Sequence, residues 1–386
     1  MSTIKRALAS GLTIIKTLLY PEFFSISIGV KMIKIQKDKL LLKPEDFKPS
    51  SKKFEILGVL NPAAVRLKSG KILLYVRVIE KLKETEDGKF FYTPRFVGKN
   101  KFKVKIDRFH KKDVLSSDIL AIEFKNGTKR LNFISHLRRV YLDKSGLNVL
   151  KIEQRPCFYG TPKDAELGVE DPRITKMHDK YYMTYVGLSR EESISTYLAE
   201  SKDCKNWKRL GIIFGQQDKD SVLFPEKIEG RYVVFDRPEG NFQLHIPNIW
   251  VAFSKDLSYW GKLNAVSLHL KDQNFSRVGA GPPPIKTDRG WLLIFSNESM
   301  SDSWTIGAAL LDINNPSKLI ARTPGYILQP VTGYEREGLV PNVTFPEGAV
   351  VVDEKLYVYY GSADTVIGLA ICKLDDLLDY IETFKK

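Results

Sequence analysis

Apolar residues along this chain come in short runs rich in β-branched and aromatic side chains, bounded by Gly, Asp or Lys turns. KILLYVR, KYYMTYV, RYVVFD, WLLIFS and KLYVYYG are the clearest. Runs of this length predict strands, and their nearly continuous apolarity predicts burial on both faces. Each run belongs to a longer phrase: a proline- or acid-containing segment, a turn, then the strand. The phrase occurs at Asn61 to Arg77, Glu170 to Gly187, Phe224 to Pro238, Pro282 to Asn297 and Phe345 to Ser362. A second strand usually follows, as in STYLAES, NIWVAFS, TIGAALLD and VIGLAICKL, and FISHLRRVYLDKSG fills that slot in the first unit. The last copies recur every roughly 50 to 65 residues, a period typical of radial repeats.

A single sheet cannot bury two apolar faces alone, whereas radial packing of several sheets does. The expected fold is therefore all-β, a five-bladed β-propeller over residues 51–375. An N-terminal extension (1–50) precedes it and a short helical tail (376–386, LDDLLDYIETFKK) closes it. The first unit carries a charged insertion over about 79–130, expected as surface loops or a hairpin. Ala7 to Ile33 is apolar but interrupted by Lys16, Pro21, Glu22 and Lys31. It is too broken for a membrane span and lacks a later A-x-A cleavage site, so it reads as an appended amphipathic helix at a subunit contact of a homo-oligomer.

Composition narrows the function. The chain has 386 residues, 43% hydrophobic and 27% charged, with a formal charge of +14. That charge invites a nucleic-acid partner, but the lysines are scattered through turns and no recognition motif accompanies them, so a solvated basic surface is expected. Cys157, Cys204 and Cys372 form no CxxC pair, which fits a reducing cytoplasm and neither a disulfide framework nor zinc. The five histidines have no ligand spacing, and no metal is expected. GAGPPP (Gly279 to Pro284) lacks the Lys-Ser/Thr of a phosphate loop; its glycines predict a close backbone approach to the channel.

In a propeller, corresponding positions of every repeat converge at one end of the channel. The polar residues beside each phrase are thus the candidates: Asn61 and Arg77; Glu170, Asp171 and Arg173; Lys219, Asp220, Glu226, Asp236 and Arg237; Arg277, Ser296, Asn297 and Glu298; Asn342, Glu347 and Asp364. A ring of carboxylates and arginines suits sugar chemistry, because carboxylates accept hydroxyl hydrogen bonds and a protonated one can serve a leaving glycosidic oxygen. Acidic residues such as Asp353, by contrast, read as ordinary solvated turns.

The motifs NPAAV, GVEDPRIT, VLFPEKIEGRY, NIWVAFSKDLSYWG, VGAGPPPIKT and LVPNVTFPEGAVVVDEKLYVYYGSADT together resemble glycoside hydrolase family 130, the β-mannoside phosphorylases and β-1,2-mannosidases. The resemblance runs from about Asn61 to Leu374 and implies a five-bladed propeller and an inverting mechanism without a cofactor. It implies that Asp171 is the proton donor, acting through a sugar hydroxyl. Asn61, Arg77 and Asp364 match mannose-holding positions, with Glu170 and Arg173 beside them. In phosphorylases inorganic phosphate is a co-substrate held by a basic cluster, and Arg237 matches one member. The rest of that cluster departs: Lys219 and Asp220 stand where Arg-Asn is usual, Arg277 replaces a lysine, and Ser296 and Asn297 follow WLLIF in place of a histidine, with Glu298 next. A carboxylate 4 Å from an anion is repelled by about 1 kcal/mol in water and about 4 at an effective dielectric of 20. Asp220 or Glu298 is therefore expected to orient water, and the reading leans to hydrolysis. Phosphorolysis to mannose 1-phosphate, with Lys219, Arg237, Arg277 and Ser296 around the nucleophile, is the alternative. A propeller that binds mannosides without cleaving them is another, and five-bladed enzymes acting on arabinosides or fructosides are remote.

Overall fold

The computed structural model describes residues 23–24, 35–240, 244–268 and 275–385. It is all-β, built mainly from five antiparallel sheets that follow one another along the chain. The first contains Phe54–Arg66, Ile72–Leu82, Phe133–Leu142 and Val149–Ile152. The second is the meander Gly168–Met177, Lys180–Ser189, Ser193–Ser201 and Lys208–Phe214. The third is Asp218–Leu223, Tyr232–Pro238, Trp250–Ser254 and Trp260–Ala265. The fourth has Phe275–Ala280, Gly290–Ser299, Trp304–Leu311 and Leu319–Arg322, with Ile285–Thr287 beside its second strand. The fifth has Thr344–Val352, Lys355–Ser362 and Val366–Lys373. None of these sheets closes into a barrel.

The fifth sheet is completed from the other end of the chain. Ile35–Leu42 pairs antiparallel with Val366–Lys373, tying the two ends of the described chain into one sheet. The helix expected over Ala7 to Ile33 falls outside the described residues, except Phe23–Phe24, which pair as a short strand with Ile35 and Gln36. The insertion also has its own order. Ile79–Leu82 continue the strand from Ile72, after which Phe90–Phe96 pairs with Val104–His110. Val114–Ser117, Ala121–Phe124 and Lys129–Leu131 then form a three-stranded sheet.

Apolar side chains on both faces of the sheets are used, as the runs predict, because each sheet shares a core with the next. Leu73, Tyr75 and Leu137 of the first meet Ile174, Met183 and Tyr197 of the second. Tyr182 and Leu198 meet Leu223, Val234 and Ala252 of the third. Phe224, Val233 and Phe235 pack on Trp291, Leu293 and Phe295 of the fourth. Leu292, Ile294 and Leu310 meet Leu356, Val358 and Tyr360 of the fifth, with Leu377, Leu378 and Ile381 of the closing helix Leu374–Glu382. Finally Tyr357, Tyr359 and Leu369 return to Val59, Leu74 and Val76 of the first. Burying a large apolar side chain contributes about 1.5–3 kcal/mol, so these five interfaces dominate the stability of the ring.

Candidate active site

The first strands of the sheets approach one another, and each of several breaks its pairing at one residue. The register slips between Leu60 and Ala63, between Glu170 and Arg173, and between Lys219 and Val222. A bulge inserts an unpaired residue and re-aims its side chain. The residues at these slips include Asn61, Asp171 and Asp220, with φ of 46°, 49° and 53°. Asn and Asp tolerate the left-handed region better than other non-glycine residues, which is why they stand inside otherwise apolar strands. A slip between Pro346 and Gly348 brackets Glu347 in the fifth sheet.

These bulges face one cavity of about 370 Å³. Asn61, Arg77, Asp171, Lys219, Asp220, Arg237, Arg277 and Asp364 all line it, joined by Gln217, Glu239, Trp304 and Phe345. At one side, Asp171 Oδ1 accepts hydrogen bonds from Asn61 Nδ2 at 2.9 Å and Arg77 Nη1 at 2.8 Å. Arg77 Nη2 donates to Glu170 Oε1 at 2.5 Å, so Glu170 supports the arginine from behind the cavity wall. Burial alone would raise the Asp171 carboxyl, but Arg77, Lys219 and the Asn61 bond outweigh it and hold it at about 2. Asp364, half-buried on the cavity wall, is pushed up to about 6: desolvation leads, Arg77 opposes, and Asp171 and Glu170 add to the rise. Gly361 lets this side close, since a Cβ there would lie 2.2 Å from Asn61 Oδ1.

Across the site, Arg173 is almost fully buried and ties the second sheet to the third and fourth. Its Nε donates to the carbonyl of Gly281 at 3.0 Å and its Nη2 to Asp220 Oδ1 at 3.0 Å. The other Asp220 oxygen accepts from Arg237 Nε at 2.7 Å. Gly279, in the GAGPPP motif, makes this possible: a Cβ would sit 2.0 Å from Asp220 Oδ2. Glu347, fully buried, lies 3.4 Å from Arg173 Nη2, and neither carboxyl oxygen has a hydrogen-bond partner. Burial pushes it well above the usual carboxylate range; Arg173 opposes, while Asp171 and Asp220 reinforce the shift. Burial thus favours the protonated form of Glu347.

The third and fourth sheets supply a cationic corner. Lys219 and Arg237 stand directly opposite each other on neighbouring strands. Like charges so placed destabilise a sheet unless anions sit between them. Asp220 serves one side of Arg237, and Glu239 Oε1 accepts from Arg237 Nη1 and, at 3.4 Å, from Arg277 Nη1. Trp304 and Phe345 meet edge to face with centroids 5.2 Å apart, giving the cavity an apolar wall.

Four expected site residues do not line the cavity: Glu170 and Arg173 support it from behind, and two others lie elsewhere. Glu298 stands opposite Arg277 in register and pairs with Arg277 Nε at 2.7 Å and Ser276 Oγ at 2.5 Å; it is not among the lining residues. Ser296 is buried and donates to the Gly279 carbonyl at 3.3 Å, also away from the cavity. The sequence reasoning missed Gln217, Glu239, Trp304 and Phe345. Glu239 follows the DRP segment directly, which is the one signal that pointed to it. Among the described residues no cluster of three or more His, Cys, Asp or Glu is arranged for a metal ion. Nor is any helix among them long and apolar enough to cross a membrane.

Comparison with known proteins agrees with this chemistry. The model of glycoside hydrolase family 130, described as β-1,4-mannooligosaccharide phosphorylase, matches residues 128–383. A β-1,2-mannobiose phosphorylase of Listeria innocua is 32% identical over 354 residues, 90% of this chain and 97% of that protein. A 1,2-β-oligomannan phosphorylase of Thermoanaerobacter sp. is 40% identical over 239 residues, 61% of this chain and 78% of that protein. The solved Listeria innocua β-1,2-mannobiose phosphorylase, in complex with β-1,2-mannobiose, superposes with a TM-score of 0.79 at 31% identity, covering 89% of this chain and 97% of that one. Fold and site thus define a carbohydrate-active enzyme working on β-mannosides. The chain belongs to glycoside hydrolase family 130.

Proposed function

We propose that the protein is an inverting phosphorylase of β-1,2-linked mannosides, built as a five-bladed propeller whose channel holds the site. Five successive sheets, each sharing a core with the next and the fifth with the first, support the blade count. The observation that carries phosphorolysis is the corner of Lys219, Arg237 and Arg277 on the same cavity as Asp171. The lean to hydrolysis loses its base: Asp220 is held between two guanidinium groups and Glu298 lies off the cavity. The family description and the relatives, all named phosphorylases, support the same change of reading.

In the proposed reaction a phosphate oxygen attacks C1 of the mannosyl unit as the bond from C1 to the leaving oxygen breaks. Inversion of the β-linkage gives α-mannose 1-phosphate, and the leaving oxygen takes up a proton. Asn61, Arg77 and Asp364 hold the mannosyl unit, and Asp171 supplies the proton, relayed through a sugar hydroxyl. Asp171 is an anion in the empty site, so substrate must load it. A phosphate dianion about 6 Å away at an effective dielectric of about 20 opposes the charged carboxylate by about 5 kcal/mol, or about 4 pKa units. That opposition raises the Asp171 carboxyl from about 2 toward the pH at which it must work.

The synthetic direction tests the proposal. Given α-mannose 1-phosphate and mannose, the enzyme is expected to release phosphate and form a β-1,2-linked disaccharide. Neither phosphate release nor disaccharide, from an enzyme that splits β-1,2-mannobiose into mannose without phosphate, would identify a hydrolase instead.

A further inference from the structure

The anion corner is already occupied by the protein's own carboxylate. Glu239 lies one residue beyond the strand Tyr232–Pro238, where its backbone N–H is fixed on the Gln217 carbonyl at 2.7 Å. Its Oε1 accepts from both Arg237 and Arg277, the geometry with which a phosphate oxygen would bridge two guanidinium groups. The pairing also balances charge. Arg77, Lys219, Arg237 and Arg277 face Asp171, Asp220, Glu239 and Asp364, four cations against four carboxylates. A dianion entering that balance is bound more tightly if a carboxylate leaves the cationic corner, since proton uptake by Asp171 offsets only one of its two charges.

Of these carboxylates, Glu239 is the one free to go. Asp171 is bonded to Asn61 and Arg77, Asp220 to Arg173 and Arg237, and Asp364 faces Arg77 on the opposite, sugar side of the cavity. The Glu239 side chain is about one-fifth exposed and borders a second cavity, of about 510 Å³, lined also by Pro238, His245, Ile246, Pro247 and Trp250. Glu239 is the wall between the two spaces, with room on its far side.

Resting on the phosphorylase reading, we propose that Glu239 is a carboxylate gate that fills the phosphate seat between Arg237 and Arg277 and is displaced into the neighbouring cavity when inorganic phosphate binds. It sets the affinity for phosphate: every binding event first breaks the Glu239 bridge. It also keeps the two arginines oriented while the site is empty.

The test is phosphate binding by titration calorimetry to the full-length enzyme without sugar, for wild type, Glu239→Gln and Glu239→Ala, with melting curves to check folding. Both variants are expected to bind phosphate at least fivefold more tightly, and the phosphate KM in mannobiose cleavage is expected to fall with it. Damage to the fold would weaken binding, so a gain separates the gate from a structural role. Unchanged or weaker binding in both variants, with a wild type that binds phosphate and forms mannose 1-phosphate, overturns the gate alone. A wild type that does neither overturns the phosphorylase reading itself.

Discussion

Replacing Asp171 by Asn removes one negative charge with almost no change of shape. Asn61 can still donate to the remaining carbonyl oxygen, and Arg77 keeps Glu170 at 2.5 Å. Loss of one charge-assisted bond to Arg77 costs about 1–2 kcal/mol. Relief of the crowded carboxylates offsets part of it, since Asp171 helps to raise both Asp364 and Glu347. At an unfolding entropy of about 2.1 cal/mol/K per residue, a chain of this size shifts by little more than about 1 °C per kcal/mol. The melting temperature should therefore move by less than about 3 °C. Turnover should change far more: an acid–base group contributes about 10²–10⁴-fold, or about 3–5 kcal/mol of barrier. Steady-state cleavage of β-1,2-mannobiose in phosphate buffer measures it, with mannose binding by calorimetry as the control for the sugar subsite. Turnover within tenfold of wild type, in a folded variant that binds mannose, would remove Asp171 from proton transfer.

Other consequences are as direct. Glu347→Gln should leave the melting temperature at pH 7 within about 2 °C, because burial favours the protonated acid that the amide mimics; an anion paired with Arg173 would instead lose about 3–5 kcal/mol. Asp236 is pushed up to about 8, first by burial and then by the neighbouring Asp218. Its folded value lies above the unfolded one, so its proton is bound more tightly in the native state and stability falls as pH rises from about 4 toward 8. Asp236→Asn should melt progressively higher than wild type across that range, and a gap that shrinks with rising pH would refute the assignment. Asp364, at about 6, should make mannose binding weaken as pH falls through 6, and Asp364→Asn should flatten that dependence. Gly279→Ala forces Asp220 to move and should raise the phosphate KM at least tenfold, whereas an unaltered KM would detach the GAG turn from the site.

Much of the scaffold was legible because its signals are local. Apolar runs between turn residues mark the strands, and Asn61, Asp171 and Asp220 stand out as short polar residues inside them. The bulges explain why they are there. What stayed hidden depends on partners distant in sequence. Ile35–Leu42 read as an extension because its pairing partner is Val366–Lys373, at the other end of the chain. Glu298 looked like a base because it follows Ser296 and Asn297, yet strand register places it opposite Arg277, which takes its carboxylate. Glu239 was not singled out at all, because its partners, Arg237 and Arg277, meet it only in the folded chain. The order within the insertion was similarly masked by its density of charge.

The most direct test of the account is the product formed from β-1,2-mannobiose with and without inorganic phosphate, followed by phosphorus and proton NMR. The account predicts one α-mannose 1-phosphate and one mannose per bond cleaved, with negligible cleavage when phosphate is left out. Two mannose molecules per bond at an equal rate in phosphate-free buffer would contradict it.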